Sequence, residues 1–161
     1  AHGQLALHRT VREGVDALHR WEAEHLLAAL AGTRPAVVAA AASVVDDAAC
    51  PAALREPFVV WLRAPAAVLA QRMADGTRAD DHRRTLGGAR AVELEARRAD
   101  RFAAVADLTI DTAAGGTTTS PDAIVATILA ADPSIEPAQL RRLLRDGIPR
   151  VRLLAASALA K

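Results

Sequence analysis

Lysine is almost absent from this sequence, because Lys161 is the only one and arginine supplies the remaining positive charge. Together with the abundant alanine, this usage is typical of a GC-rich genome, so a single arginine is weak evidence of function. Cysteine is just as scarce: Cys50 stands alone, which excludes a disulfide within the chain. A reducing cytoplasm is therefore the simpler interpretation of its localisation.

Long apolar runs and an excess of one charge are also missing. Charges interrupt every apolar stretch before it could span a bilayer, and no signal-peptide pattern occurs. The net charge of +1 argues against a nucleic-acid binder dominated by phosphate contacts. We therefore expect neither a membrane nor a nucleic acid as partner. With 161 residues, 52% of them hydrophobic, the chain fits one globular domain with a short appendage.

Metal-ligand spacing is absent as well. His19, Glu22 and His25 invite a metal interpretation, but two ligands on one helix face stand four residues apart, whereas these histidines are six apart. We therefore expect no metal site. Cys50 has no basic cluster beside it, and a small buried thiol is the simplest interpretation.

In the first half of the chain, short apolar runs alternate with helical segments. The run "VDALHRWEAEHLLAAL" has helical composition, and "GTRP" ends it. "AVVAAA" reads as a short buried strand that leaves a sheet through a tight turn, and "FVVWLRA" is the clearest strand. The predicted elements are helix 15–30, strand 36–41, a short helix through 50–56 and strand 58–64.

The second half continues this alternation. "DGTRADDHRRTLGG", residues 75–88, has no apolar periodicity and is predicted to be a mobile loop. "DLTID" is a strand candidate, and "GGTTTSP" precedes the last helix of the domain. The predicted elements are helices 65–74, 89–106 and 122–130 and strand 107–111. This order predicts an α/β fold in which 58–62 and 107–111 are adjacent, parallel, buried strands.

The character of the sequence changes after Asp132. We interpret residues 1–131 as the α/β domain and residues 132–161 as a C-terminal helical hairpin, split at Gly147 to Pro149. The string "PRVRLLAASAL" is similar to the second helix of a HEAT-type repeat. A lone repeat is only marginally stable, so two interpretations stay open: a hairpin packed on the domain, or the start of a helical repeat.

Several blocks of this sequence occur in the order typical of one enzyme family. They are "GQLALHRTVREGVDALHRWE", "VVAAAASVV", "AALREPFVVWL" and "RRADRFAAVADLTIDT". In this order they resemble the C-terminal two-thirds of the shikimate kinases, small P-loop kinases that transfer phosphate from ATP to shikimate with Mg²⁺. The last block resembles the family pattern R-x-x-x-Y-x-x-x-A-D-x-x-V-D-T, with Phe102 at the tyrosine position.

The resemblance implies a three-layer fold with a parallel sheet of the P-loop kinase type, of which this chain supplies about three strands. The strand that carries the phosphate loop, and the loop pattern G-x-x-x-x-G-K-[ST], do not occur in these residues. "GGTTTS" at 115–120 lacks lysine and follows the last strand. Amides of such a loop ring the phosphates and its lysine neutralises them. We therefore expect no cofactor on this chain, with ATP and Mg²⁺ implied only for an active kinase.

The substrate positions implied by the resemblance are partly replaced. His19 stands at an arginine that holds the shikimate carboxylate, and a neutral imidazole cannot make a guanidinium's bidentate contact. Ala41, Ala42 and Ser43 stand at three glycines that touch substrate, so their β-carbons would fill that pocket and add strain wherever φ is positive. Arg98 stands at the second substrate-carboxylate arginine, with a solvated or ion-paired surface residue as the competing interpretation.

On the nucleotide side, Arg72 stands at the arginine that stacks on adenine, and Pro121 is similar to the proline on the other side of the base. The lid segment "TRADDHRRTL" departs from the family pattern. Arg78 or Arg84, with Arg83 as a further possibility, could be the lid arginine that reaches the transferring phosphate. We identify no confident catalytic residue in the chain.

Two hypotheses for the function follow from these matches and departures. The favoured one is a degenerate shikimate kinase-like domain that no longer transfers phosphate and acts as a structural or partner-binding module. The alternative is an active or divergent ATP-dependent kinase whose P-loop segment lies outside these 161 residues. Because the missing strand lies in the middle of the family's sheet, between 36–41 and 58–62, we expect another protein segment or subunit to complete it, or these two strands to pair directly.

Overall fold

A computed structural model of the chain describes residues 14–33, 36–74, 87–113 and 119–146. Helix α1, Val15–Leu30, has the bounds that its composition predicts. It begins after Gly14, whose φ of 85° is a conformation that L side chains rarely adopt. Glycine is therefore suited to this helix start. Leu18, Ala23 and Leu26 are the buried face of α1.

The predicted strand 36–41 is wrong. Only Ala36 has β-bridge geometry, and no backbone hydrogen bond joins residues 37–41 to another strand within the described ranges. Alanine has low β-propensity, and a strand also needs a neighbouring backbone to pair with. The expected tight turn is a 3-10 helix, Ala42–Asp46, in which Ser43, Val44 and Val45 are buried.

Helix α2, Cys50–Ala53, is shorter than the predicted segment 50–56. Leu54 already leaves helical geometry with ψ at 0°. Pro57 follows shortly after, and a proline disfavours helical backbone in the residue before it. The chain then enters strand β1, Val60–Arg63.

Strand β1 pairs in parallel with strand β2, Leu108–Asp111, in the register Val60↔Leu108 to Arg63↔Asp111. The predicted parallel neighbours are therefore confirmed, within slightly shorter bounds. Burial is less complete than predicted, because Val60 and Ile110 are buried whereas Arg63, Thr109 and Asp111 are exposed. The described part of the sheet has two strands, β1 and β2, and residues 36–41 are not a strand of it.

Two described helices lie between the strands in the chain, and they pack against each other. Helix α3, Ala66–Ala74, follows Pro65, whose carbonyl accepts hydrogen bonds from the Val68 and Leu69 amides at 2.9 and 3.1 Å. Helix α4, Gly87–Val105, begins two residues earlier than predicted, so the last two residues of the predicted loop are helical. The rest of that loop, 75–86, lies outside the described residues.

Two further helices follow the strands. Helix α5, Pro121–Ala131, begins after Ser120, whose hydroxyl accepts a hydrogen bond from the Ala123 amide at 3.2 Å. Helix α6, Pro137–Asp146, is the first helix of the predicted hairpin, and the second lies outside the described residues.

Buried residues of the described ranges form two hydrophobic clusters, and the strand residues alternate between them. Cluster 1 joins Val60 and Ile110 to the buried residues of α5 and the α6 region: Ile124, Ile128, Ile135 and Leu140. Cluster 2 joins Val59 to α1, the 3-10 helix, α2 and α4 through Ala23, Leu26, Val44, Val45, Cys50, Leu54, Phe102 and Val105. Because successive strand residues point to opposite faces, helices cover both faces of the strand pair.

Candidate functional site

The residues implied at the substrate site lie on or beside α1, the 3-10 helix and α4, and the 3-10 helix contacts both helices. Glu22 on α1 accepts a hydrogen bond from the hydroxyl of Ser43, and Ser43 is only 7% exposed. Glu22 thus has a hydroxyl partner here. This contact ties the segment at the former glycine positions to the helix that carries His19.

Arg98 on α4 binds the carboxylate of Asp46, the last residue of the 3-10 helix. Its Nε and Nη2 both donate to Oδ2 of Asp46, at 2.7 and 2.5 Å. Arg98 is ion-paired, as the competing interpretation holds, but its side chain is only 9% exposed, so the expected surface location is wrong. Arg98 is instead a buried cation whose described partner is a carboxylate of the same chain.

Two more arginines surround the same carboxylate. Nη1 of Arg101 donates to Oδ1 of Asp46 at 2.5 Å, and Nη2 of Arg97 lies 3.8 Å from Oδ2. Burial of Asp46 disfavours its charged form, but hydrogen bonding and the charges of Arg98, Arg101 and Arg97 outweigh it. They hold the pKa of this carboxyl below its ordinary value. We call Asp46, Arg97, Arg98 and Arg101 the arginine–carboxylate cluster.

An aromatic residue of α4, one turn after Arg98, stacks on an aromatic residue of β1. Trp61 of β1 stacks on Phe102, with ring centroids 5.4 Å apart and an angle of 21° between the planes. The guanidinium carbon of Arg63 lies 5.7 Å from the Trp61 ring centroid. Phe102 stands four residues after Arg98, so both lie on one helix face. The residue at the family's tyrosine position therefore anchors α4 against β1.

Cys50 is a fully buried thiol, as the sequence predicts. Burial raises its pKa, and the charge and hydrogen bond of Asp47 raise it further. A thiol held in its neutral form is a poor nucleophile, so Cys50 is suited to packing in cluster 2.

The other implied substrate residues flank the cluster. His19 is half-buried on α1, Ala41 is half-buried and Ala42 is exposed. The φ of Ala41 is −68°, and the next residues are helical, so the strain expected for a positive φ does not arise there. Of these residues, Ser43 donates a side-chain hydrogen bond to Glu22, and Ala41 packs against cluster 2.

The implied nucleotide and lid residues are only partly described. Pro121 is exposed at the first position of α5, where proline is favoured because its missing amide hydrogen has no helical partner. Arg72 lies on α3, but its side chain is outside the described part of the chain. Arg78, Arg83 and Arg84 also lie outside the described residues.

Asp46 is the residue that sequence reasoning missed. Its partner Arg98 is 52 residues away along the chain, and no local pattern links them. The available signal was an acidic residue directly after two buried valines, beside positions implied to contact a carboxylate. Among the described residues, no three His, Cys, Asp or Glu side chains are grouped to hold a metal ion. None of the described helices is long and apolar enough to cross a membrane.

A parallel strand pair with helices on both faces defines an α/β protein. The sequence model described as shikimate kinase matches residues 8–132, more than half of the chain. The chain therefore belongs to the shikimate kinase family. Searches of curated proteins and of solved structures found no match.

Proposed function

We propose that this chain is a degenerate shikimate kinase-like domain that does not transfer phosphate and acts as a structural or partner-binding module. The fold we propose with it is the three-layer P-loop kinase type without the P-loop strand in these residues. Cluster 1 and cluster 2 on opposite faces of the strand pair support three layers. The lone buried Cys50 supports a reducing compartment, and we propose the cytoplasm.

The contact between Arg98 and Asp46 carries this proposal. The family resemblance implies that Arg98 receives the substrate carboxylate. In this chain the same guanidinium donates two hydrogen bonds to a carboxylate from residue 46. A guanidinium has five N–H donors, but Asp46 already uses two of those of Arg98, and a substrate carboxylate would compete with Asp46 for this buried group. A bound substrate would have to displace Asp46 first.

The remaining substrate positions support the same conclusion. His19 replaces the arginine that would share the substrate carboxylate. Ser43, at a glycine position, is buried and donates to Glu22, so its side chain fills space that the family's glycine leaves open. In addition, the 161 residues of the sequence contain no G-x-x-x-x-G-K-[ST] pattern to hold ATP phosphates.

The strand pair supports a partner that completes the sheet. Val59 exchanges hydrogen bonds with the Asp107 carboxylate and with the Asp107 and Leu108 amides, and the Arg63 carbonyl accepts from Thr112. Because strand residues alternate, Val60 and Leu62 direct their backbone groups to the opposite edge of β1. Among the described residues, no second strand pairs with that edge. We propose that another protein segment or subunit pairs there.

Isothermal titration calorimetry of the chain with shikimate tests the non-catalytic proposal. We expect no heat of binding up to millimolar shikimate and at best weak binding of ATP with Mg²⁺. An Arg98→Ala variant should give the same trace as the unchanged chain. Submillimolar shikimate binding that Arg98→Ala abolishes would favour the alternative, an active kinase whose phosphate loop lies outside these residues.

A coupled assay of ADP release provides the second measurement. The chain with ATP, Mg²⁺ and shikimate should release ADP no faster than the same mixture without shikimate. Shikimate-dependent release that purifies with the chain would contradict the proposal.

A further inference from the structure

The arginine–carboxylate cluster has an unusual balance of charge. Three guanidinium groups lie within 4 Å of a single carboxylate, and both of its oxygens accept hydrogen bonds. None of the described ion pairs joins these three arginines to a carboxylate other than Asp46. The cluster therefore carries two positive charges more than negative ones, and Arg98 is its buried member.

The carboxylate reaches this position on a short, well-anchored segment. Val44 and Val45 are buried in cluster 2, and Ser43 is held by Glu22. These anchors hold the end of the 3-10 helix beside α4, where the Asp46 side chain enters the arginines. The segment thus delivers one carboxylate group to a preformed cationic site.

We propose that Asp46 is a built-in ligand: Arg98, Arg101 and Arg97 form a carboxylate-binding site that the chain fills with its own side chain. This inference rests on the proposed non-catalytic function and deepens it, because it identifies what occupies the site. The site takes small carboxylate anions once Asp46 is removed. Formate is the matching probe, since Asp46→Ala removes one carboxylate group and leaves the rest of the backbone segment unchanged.

The physical reason is the cost of an unpaired buried charge. Removing one partner of a buried ion pair leaves the other uncompensated, and a diffusible anion of the same chemistry restores the pairing. The tethered Asp46 acts at a high effective concentration, so free formate is needed at millimolar levels or above. In the unchanged chain the site is already filled, and formate has nothing to bind.

Thermal unfolding in formate tests this proposal. The unchanged chain, Asp46→Ala and the double variant Asp46→Ala/Arg98→Ala are each heated in 0–100 mM sodium formate, with sodium chloride keeping the ionic strength constant. In chloride alone we expect Asp46→Ala to melt about 10 °C below the unchanged chain. Formate should raise the Tm of Asp46→Ala in a saturable way, with no effect on the unchanged chain or the double variant.

Three results would overturn the proposal: equal Tm values for Asp46→Ala and the unchanged chain in chloride, no formate effect on Asp46→Ala, or an equal effect on the double variant. If Asp46→Ala does not fold in chloride, far-UV circular dichroism after refolding in formate replaces the melting curve. Recovery of the helical signal is then the expected result, and its absence overturns the proposal. Shikimate calorimetry on the unchanged chain remains a separate test, so failure of the proposed function is distinguishable from failure of this inference.

Discussion

At the scale of single residues, Arg98 combines burial of its side chain with an ion pair to Asp46. It is buried, whereas the other arginines with described side chains are exposed, and its partner Asp46 comes from a different element. The contact between Arg98 and Asp46 has two roles: it holds α4 against the 3-10 helix, and it neutralises a charge. The two roles predict that Arg98 matters for stability even if the chain binds no small molecule.

Replacing Arg98 with alanine should lower the free energy of unfolding by about 3 kcal/mol, because Asp46 would lose its buried partner. The matched control is Arg97→Ala. Arg97 is 51% exposed and lies 3.8 Å from the same carboxylate, so its loss should cost less than about 1 kcal/mol. Urea unfolding followed by tryptophan fluorescence measures both variants. Equal losses for the two variants would mean that burial does not distinguish them.

Acid should weaken the fold through Asp46. Its pKa in the folded chain lies below its ordinary value, whereas the unfolded chain has the ordinary value of about 3.9. The unfolded state therefore binds the proton more readily, and the stabilisation is present above about pH 4 and lost as the pH falls below it. Unfolding free energies measured from pH 6 to pH 2.5 should fall more steeply for the unchanged chain than for Asp46→Asn. Parallel curves would contradict this assignment.

At the scale of elements, the block "ADLTIDT", which matches the family pattern, contains two polar residues that bond to the ends of β1. The Asp107 carboxylate accepts the Val59 amide at 2.7 Å, just before β1 begins. At the other end, the Thr112 amide and hydroxyl donate to the Arg63 carbonyl at 2.7 and 3.0 Å. The two polar residues thus fix both ends of the strand pair, and their spacing matches the length of β2.

Helix α6 is the element whose role the sequence left open. Leu140 is fully buried in cluster 1 beside Ile135, although both lie beyond the matched residues 8–132. Leu140→Ala should therefore lower the free energy of unfolding by about 3 kcal/mol, because it leaves a cavity in the core. The exposed neighbour Arg141, changed to alanine, is the matched control and should have little effect. A loss below 1 kcal/mol for Leu140→Ala would mean that α6 does not stabilise the domain.

At the scale of the whole molecule, the edge of β1 with which no described strand pairs predicts association. An unpaired strand edge is a template for another backbone, and buried unpaired groups are costly. Amide hydrogen exchange measures this residue by residue. In dilute solution we expect Val60 and Leu62 to exchange faster than Trp61 and Arg63, whose amides face β2. Raising the protein concentration should protect Val60 and Leu62. Protection at every concentration would instead mean that a segment of the same chain covers this edge.

The sequence by itself determined the elements and the family. Helix α1 and the parallel strands follow from composition and short-range apolar patterns, and the ordered blocks identify the shikimate kinase family. These signals are local, because helices and strands depend on neighbouring residues and a family pattern depends on order along the chain. The same reasoning placed Arg98, Ser43 and His19 at substrate positions.

Tertiary structure alone decided the partners of these residues. Residues 37–41 read as a strand, yet pairing depends on a neighbouring backbone that the local pattern does not specify. Ser43 and Glu22 are 21 residues apart, and Asp46 and Arg98 are 52 apart, so only folding brings them together. Which carboxylate meets a buried arginine depends on how elements pack, and in this chain the packing supplies Asp46 where the family resemblance implies a substrate.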